Sequence, residues 1–82
     1  MKAHIYVTLR TTVLDPQGQT IHGALRKMQY KGVEDVRQGK YFQVQLSDEL
    51  TLPEAQSEVE RIAREVLVNP VMEEYTYRLD LV

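Results

Sequence analysis

Covalent chemistry in a short chain starts from its nucleophiles and bases, and here they are few: no cysteine, two serines (Ser47 and Ser57) and two histidines (His4 and His22). Nucleophilic catalysis needs a hydroxyl, thiol or amine activated by a neighbouring base. Spacing places no such pair. Ser47 falls in a turn, Ser57 on the outer face of a helix, His4 at the edge of a strand and His22 beside the apolar stripe of another helix. Metal-binding spacings such as His-x-x-x-His are missing, and with no cysteine the usual zinc cages lose their ligands. Neither G-x-x-x-x-G-K-[ST] nor G-x-G-x-x-G occurs, so the loops that cradle phosphates are missing too. Asp15-Pro16-Gln17-Gly18 opens a helix with free N–H groups that suit an anion, but the same residues also make a well-formed cap.

The elements that must carry these residues belong to one domain spanning residues 1–82, with 10 basic and 12 acidic side chains and a formal charge of −2. At 43% hydrophobic and 27% charged the chain lies in the globular range. A chain this short buries only roughly 60% of the surface its unfolded form exposes, so a monomer has a thin margin. Disulfides cannot widen it, which makes oligomerisation the expected support. No apolar run approaches the roughly 20 residues of a membrane span, and no signal-peptide core is visible, so the expected location is the cytoplasm. The acidic balance disfavours nucleic acid as a partner.

Ile5, Val7 and Leu9 alternate with His4, Tyr6, Thr8 and Arg10, the two-residue period of a strand with one core face. Asp15 and Pro16 then start a helix whose stripe is Ile21, Ala24, Leu25 and Met28. Val33 to Leu46 is predicted as two short strands joined by a turn at Gln38-Gly39-Lys40, where Gly39 supplies positive φ. Val33 and Val36 fall out of strict phase, as a bulge would require. Thr51 and Glu54 read as a capping box for a second helix with stripe Ala55, Val59, Ile62, Ala63, Val66 and Leu67, ended by a left-handed cap at Asn69-Pro70. A last strand carries Tyr75, Tyr77, Leu79 and Leu81 inward.

The predicted fold is therefore α+β, in the order β-α-β-β-α-β, with a four-stranded antiparallel sheet and two helices on one face. The other face presents Tyr6, Thr8, Arg10, Tyr41, Gln43, Gln45, Thr76 and Arg78. It is read either as a solvated sheet or as an oligomer contact; thin monomer stability favours contact, with Tyr6, Thr8, Arg10, Tyr41, Gln43 and Arg78 as the contact residues. The same element order occurs in sheets that stack RNA bases on aromatics, but no basic aromatic motif surrounds Tyr6 and Tyr41.

Three strings taken together, Val13-Leu14-Asp15-Pro16-Gln17-Gly18, Val33-Glu34-Asp35-Val36-Arg37-Gln38-Gly39-Lys40 and Asn69-Pro70-Val71-Met72-Glu73-Glu74-Tyr75, resemble the PurS family along the whole chain. PurS is the small subunit of phosphoribosylformylglycinamidine synthase. The chain departs from the family pattern at Gln29, where Gly is frequent, and at Thr11-Thr12, where Pro or Asn with Gly is common.

The resemblance implies a non-catalytic subunit in de novo purine synthesis. It would bridge a glutaminase, PurQ, and a synthetase, PurL, that converts formylglycinamide ribonucleotide (FGAR) to formylglycinamidine ribonucleotide (FGAM). The bridge would aid ammonia transfer and act as a homodimer or dimer of dimers. ATP and magnesium would sit in the synthetase, with no cofactor on this chain. The residues it points to for docking or structure are Asp15, Pro16, Gln17, Gly18, Arg37, Gly39, Lys40, Asn69 and Pro70. The competing class is a regulatory module with a ferredoxin-like fold that binds a small molecule at a dimer seam.

Overall fold

The computed structural model describes residues 1–81. Its elements are β1 (Lys2–Leu9), α1 (Pro16–Lys27), β2 (Gly39–Gln45), α2 (Leu52–Ile62), a π-helical turn (Ala63–Leu67) and β3 (Glu73–Asp80). Among the described residues the sheet has three strands, in the order β2-β1-β3, with β1 central and antiparallel to both neighbours. In register, Ile5 lies opposite Phe42 and Tyr77, and Tyr6 opposite Tyr41 and Thr76. The two-residue period therefore sends Ala3, Ile5 and Val7 into the core against Ala55, Val59 and Ala63, with Phe42, Val44, Tyr75, Tyr77 and Leu79 packed around them.

The predicted fourth strand does not form. Residues 33–38 run as an irregular connection because their backbone groups are bonded elsewhere. The His22 ring donates to the Val33 carbonyl (3.0 Å), the Gln38 N–H donates to the Asp15 carboxylate (2.6 Å), and the Val36 carbonyl lies against Gly18. The Gln38 N–H, already paired, is not free to join a ladder. Gly39 does not take positive φ in a turn but begins β2 opposite Thr8, and a Cβ there would stand 2.6 Å from the Val7 carbonyl oxygen.

Both helices start as their caps require. Asp15 accepts from the Gly18 N–H with Pro16 following, and Thr51 and Glu54 close a reciprocal capping box. They end in different ways. The left-handed residue that terminates α1 is Gln29 (φ 70°), with Gln29 N–H donating to Arg26 O and Tyr30 N–H to Leu25 O. That pair of bonds is the Schellman motif, on a residue with a Cβ where Gly is usual.

Asn69 is not left-handed. Instead α2 passes into the π turn, where Val68 N–H reaches back five residues to Ala63 O (3.0 Å), and Val68 leaves in extended conformation. The wider turn rotates the following residues, so Val66, expected in the core, is 74% exposed.

The largest departure concerns the helix layer. Ala55, Val59 and Ala63 are fully buried, but the stripe of α1 does not cover the sheet: Ile21 is 40% and Met28 65% exposed. The chain is correspondingly extended, with a radius of gyration of 16.3 Å against about 12 Å for a compact chain of this length.

Candidate docking site

Residues far apart in sequence meet at one end of the sheet. Asp15, only 3% exposed, accepts from the Gly18 N–H through Oδ1 (2.9 Å) and from the Gln38 N–H through Oδ2. Those two backbone donors, Gln38 first, hold its carboxyl below the usual range against the effect of burial, and the Arg37 guanidinium adds to the shift. Gly18 is required by proximity: a Cβ there would stand 2.1 Å from the Val36 carbonyl oxygen.

The Arg37 guanidinium donates through Nη2 to the carbonyls of Arg10 (3.0 Å) and Val13 (2.9 Å), clasping the β1–α1 loop. Arg10 in turn donates to the Pro70 carbonyl (2.8 Å), and its backbone N–H donates to the Met72 carbonyl. Asn69 and Glu73 bond reciprocally, the Asn69 N–H to Glu73 Oε1 (2.8 Å) and the Glu73 N–H to the Asn69 carbonyl (2.7 Å). Lys40 Nζ lies 3.3 Å from Glu73 Oε2. The Glu73 carboxyl is lowered, first by the Asn69 N–H and then by Lys40.

Asp15, Gln17, Gln38, Gly39, Lys40, Glu73, Val7 and Leu9 line a hollow of about 220 Å³ between these segments. All three sequence strings thus contribute to one end: Arg37 and Gln38 bond Val13 and Asp15, Lys40 pairs with Glu73, and Arg10 links the β1–α1 loop to Pro70. Arg10 belongs to this end rather than to the open sheet face on which its alternation placed it.

The open face carries Tyr6, Thr8, Tyr41, Gln43, Thr76 and Arg78 together, as strand alternation requires. Tyr6 and Tyr41 stack at 5.2 Å and are roughly half exposed. Sequence reasoning placed His4 at a strand edge, whereas it sits on the central strand, 8% exposed, between the Tyr41 hydroxyl and Asp80 Oδ2 (2.8 Å). The usable signal was alternation: His4 and Asp80 both fall on the outward rows of strands that pair.

Among the described residues no cluster of three or more His, Asp or Glu side chains could hold a metal ion, and no helix is long and apolar enough to cross a membrane. Ser47 Oγ accepts from the Glu49 N–H, and Ser57 lies on the outer side of α2.

A fold of this kind, with one end locked by its own side chains, defines a small α+β module with an uncovered aromatic face and an uncovered apolar stripe. The family model described as "PurS: Phosphoribosylformylglycinamidine (FGAM) synthase" matches residues 2–81, and the chain belongs to that family. The PurS subunit of Mycobacterium leprae is 43% identical over 75 residues, covering 92% of this chain and 90% of the relative. The crystal structure of Methanocaldococcus jannaschii PurS superposes with a TM-score of 0.87 at 28% identity, covering 99% of this chain and 96% of that one. A chain of the PurLQS structure from Thermotoga maritima does so with a TM-score of 0.75 at 34% identity, covering 94% and 93%.

Proposed function

We propose that this chain is the non-catalytic bridging subunit of a phosphoribosylformylglycinamidine synthase, holding a PurQ-type glutaminase against a PurL-type synthetase during the ATP- and glutamine-dependent conversion of FGAR to FGAM. The observation that carries this reading is its likeness, over 94% of its length, to a chain of the PurLQS structure from Thermotoga maritima. Free ammonia is largely protonated near neutral pH and escapes into solvent, so a synthetase fed by a separate glutaminase needs the two sites held together and enclosed. In this reading ATP and magnesium belong to the synthetase, the chain contributes shape and contact area, and the assembly works in the cytoplasm.

A second copy of the chain is part of the proposal, as a homodimer or a dimer of dimers. The solvent-accessible surface is 6221 Å², whereas a compact monomer of this mass exposes about 5,000 Å². The excess, roughly 1,200 Å², exceeds the roughly 800 Å² that each partner of a standard interface buries. The open face with Tyr6, Thr8, Tyr41, Gln43 and Arg78 and the stripe of α1 supply that surface.

At the locked end, Lys40 and Arg37 are the docking candidates for an acidic partner surface, with Asp15, Pro16, Gln17, Gly18, Gly39, Asn69 and Pro70 shaping the backbone that presents them. The test is co-purification of the tagged chain with a glutaminase and an ATP-dependent synthetase. Capture of both is expected, and capture of neither overturns the bridging role. Lys40→Glu and Arg37→Glu are expected to weaken that capture while circular dichroism still reports the fold; unaltered capture removes the docking role at this end.

A further inference from the structure

His4 is the buried titratable group that the bridging role leaves without a task. It lies in the middle of the central strand, on the face that no helix covers, with Gln43 and Arg78 directly opposite on the two neighbouring strands. Its diagonal neighbours meet both ring nitrogens: Asp80 Oδ2 lies 2.8 Å from Nε2, and the Tyr41 hydroxyl bonds Nδ1. Gln43 Nε2 donates to that same hydroxyl oxygen (2.9 Å). The His4 and Tyr41 rings are nearly parallel, 6° apart, and Tyr6 also stacks against Tyr41. The row therefore runs without a break from Asp80 on one edge strand to Gln43 on the other.

We propose that the Asp80–His4–Tyr41 row is a protonation switch that sets the charge and hydrogen-bonding polarity of the open sheet face, and thereby controls docking of a second copy of the chain there. The inference rests on the reading that this face receives that copy.

The Asp80 carboxylate can only accept, so Nε2–H donates the hydrogen bond, which assigns the Nε2–H tautomer to the neutral ring and leaves Nδ1 as an acceptor. The Tyr41 hydroxyl then donates inward to Nδ1 while its oxygen accepts from Gln43. Both ring nitrogens and the Tyr41 hydroxyl are then paired within the row. In the imidazolium, Nδ1 carries a proton of its own and donates to the Tyr41 oxygen, so the Tyr41 proton must turn outward. Protonation thus adds one positive charge and one outward donor to the face.

The charged and titratable groups around the ring are Lys2 and Tyr6 on β1, Tyr41 on β2, and Arg78 and Asp80 on β3, with Arg78 Nε 3.4 Å from Asp80 Oδ1. Asp80 already balances one cation there, and its carboxyl is lowered by its bond to His4 first and by Arg78 among the smaller causes. A further cation on a face about to be covered must be desolvated without a counter-charge, which opposes docking. Docking therefore favours the neutral ring, and protonation of the ring opposes the docked state.

The test is sedimentation equilibrium of the full chain between pH 8 and pH 5.5, with imidazole ¹⁵N spectra recorded on the same samples. Self-association at least tenfold weaker at the acid end is expected, within the usual range of coupling between two sites. The midpoint should follow the His4 signal, and the neutral ring should show the proton on Nε2. His4→Gln is expected to flatten the profile.

The ring of His22 bonds the Val33 carbonyl and no group of this row. His22→Gln should therefore leave the profile unchanged. A dimer whose affinity stays flat while His4 titrates, or a pH dependence that survives in His4→Gln, overturns the switch alone. A chain that is monomeric at pH 8 removes the second copy, and the switch with it.

Discussion

The two helices of this chain begin alike and end in opposite circumstances. Helix α1 has 12 residues and α2 has 11; each has a side-chain cap and a proline in its first turn. Helix α2 buries Ala55 and Val59 completely, while the buried residue of α1 is Gly18, at its tethered start. Local capping and periodicity are nearly equal in the two, so they cannot be what decides burial. What differs is the surface on offer. The core face of a three-stranded sheet is occupied by α2 and the π turn, and α1 is held through its first turn and through His22 to the 33–38 connection. An amphipathic helix left in that position keeps its stripe exposed.

The sharpest way to break this comparison is at the tether. Gly18→Val places side-chain atoms where the Val36 carbonyl stands, and it is expected to cost about 3 kcal/mol by overpacking, read as a fall in the urea midpoint. An unchanged midpoint would mean that α1 is not held at its start.

Next come paired truncations of the two stripes. Val59→Ala is expected to cost about 2 kcal/mol because it opens a cavity in a filled core. Ile21→Ser on α1 should leave the stability of dilute monomer within about 0.5 kcal/mol and weaken self-association instead. Equal losses in the two variants would refute the contrast.

A smaller effect of opposite sign is expected where α1 ends. Gln29→Gly relieves a side chain held at φ 70°, so a gain of about 1 kcal/mol should appear in thermal or denaturant unfolding.

The mildest effects concern pH. Asp15, Asp48, Glu54, Glu73 and Asp80 all have carboxyls lowered by hydrogen bonds or ion pairs in the fold. Their contribution is fully present above the ordinary values of 3.8 for Asp and 4.5 for Glu. It is lost as pH falls through the lowered values. Tyr77, raised by its bond to Glu60, works in the other direction: its contribution is present below 10.0 and lost as pH rises through the raised value. The melting temperature of dilute monomer should therefore fall below about pH 4, most steeply in the wild type and less in Asp15→Asn.

The parts legible in the sequence were those set by neighbouring residues. Asp15-Pro16 and Thr51-Pro53-Glu54 specify their helix starts because a cap is built within one turn. The alternation of Ile5 and Val7 specifies a face because pleating is local. The strand expected before Gly39 failed for a non-local reason: Asp15, His22 and Gly18 engage the backbone of 33–38 from 11 to 23 residues away. Val66 was misplaced because a single wide turn breaks a 3.6-residue count, and nothing in Ala63–Leu67 announces it. Asn69 does not take the left-handed conformation expected of it because it is engaged with Glu73 across the turn. Neither composition nor spacing joined the three strings at one end; the resemblance had grouped them as a set, and the hydrogen bonds of Arg37, Arg10 and Asp15 show why they travel together.

By itself the amino-acid sequence determined where helices start, which side of each strand is apolar, that no thiol is available, and the family that the chain resembles. Those properties depend on contacts within a few residues or on composition alone. The number of strands, the bareness of α1 and the meeting of His4 with Asp80 and Tyr41 were decided by tertiary structure. Each depends on which distant group reaches a given backbone or ring nitrogen first, and that competition takes place only after the chain has closed its loops.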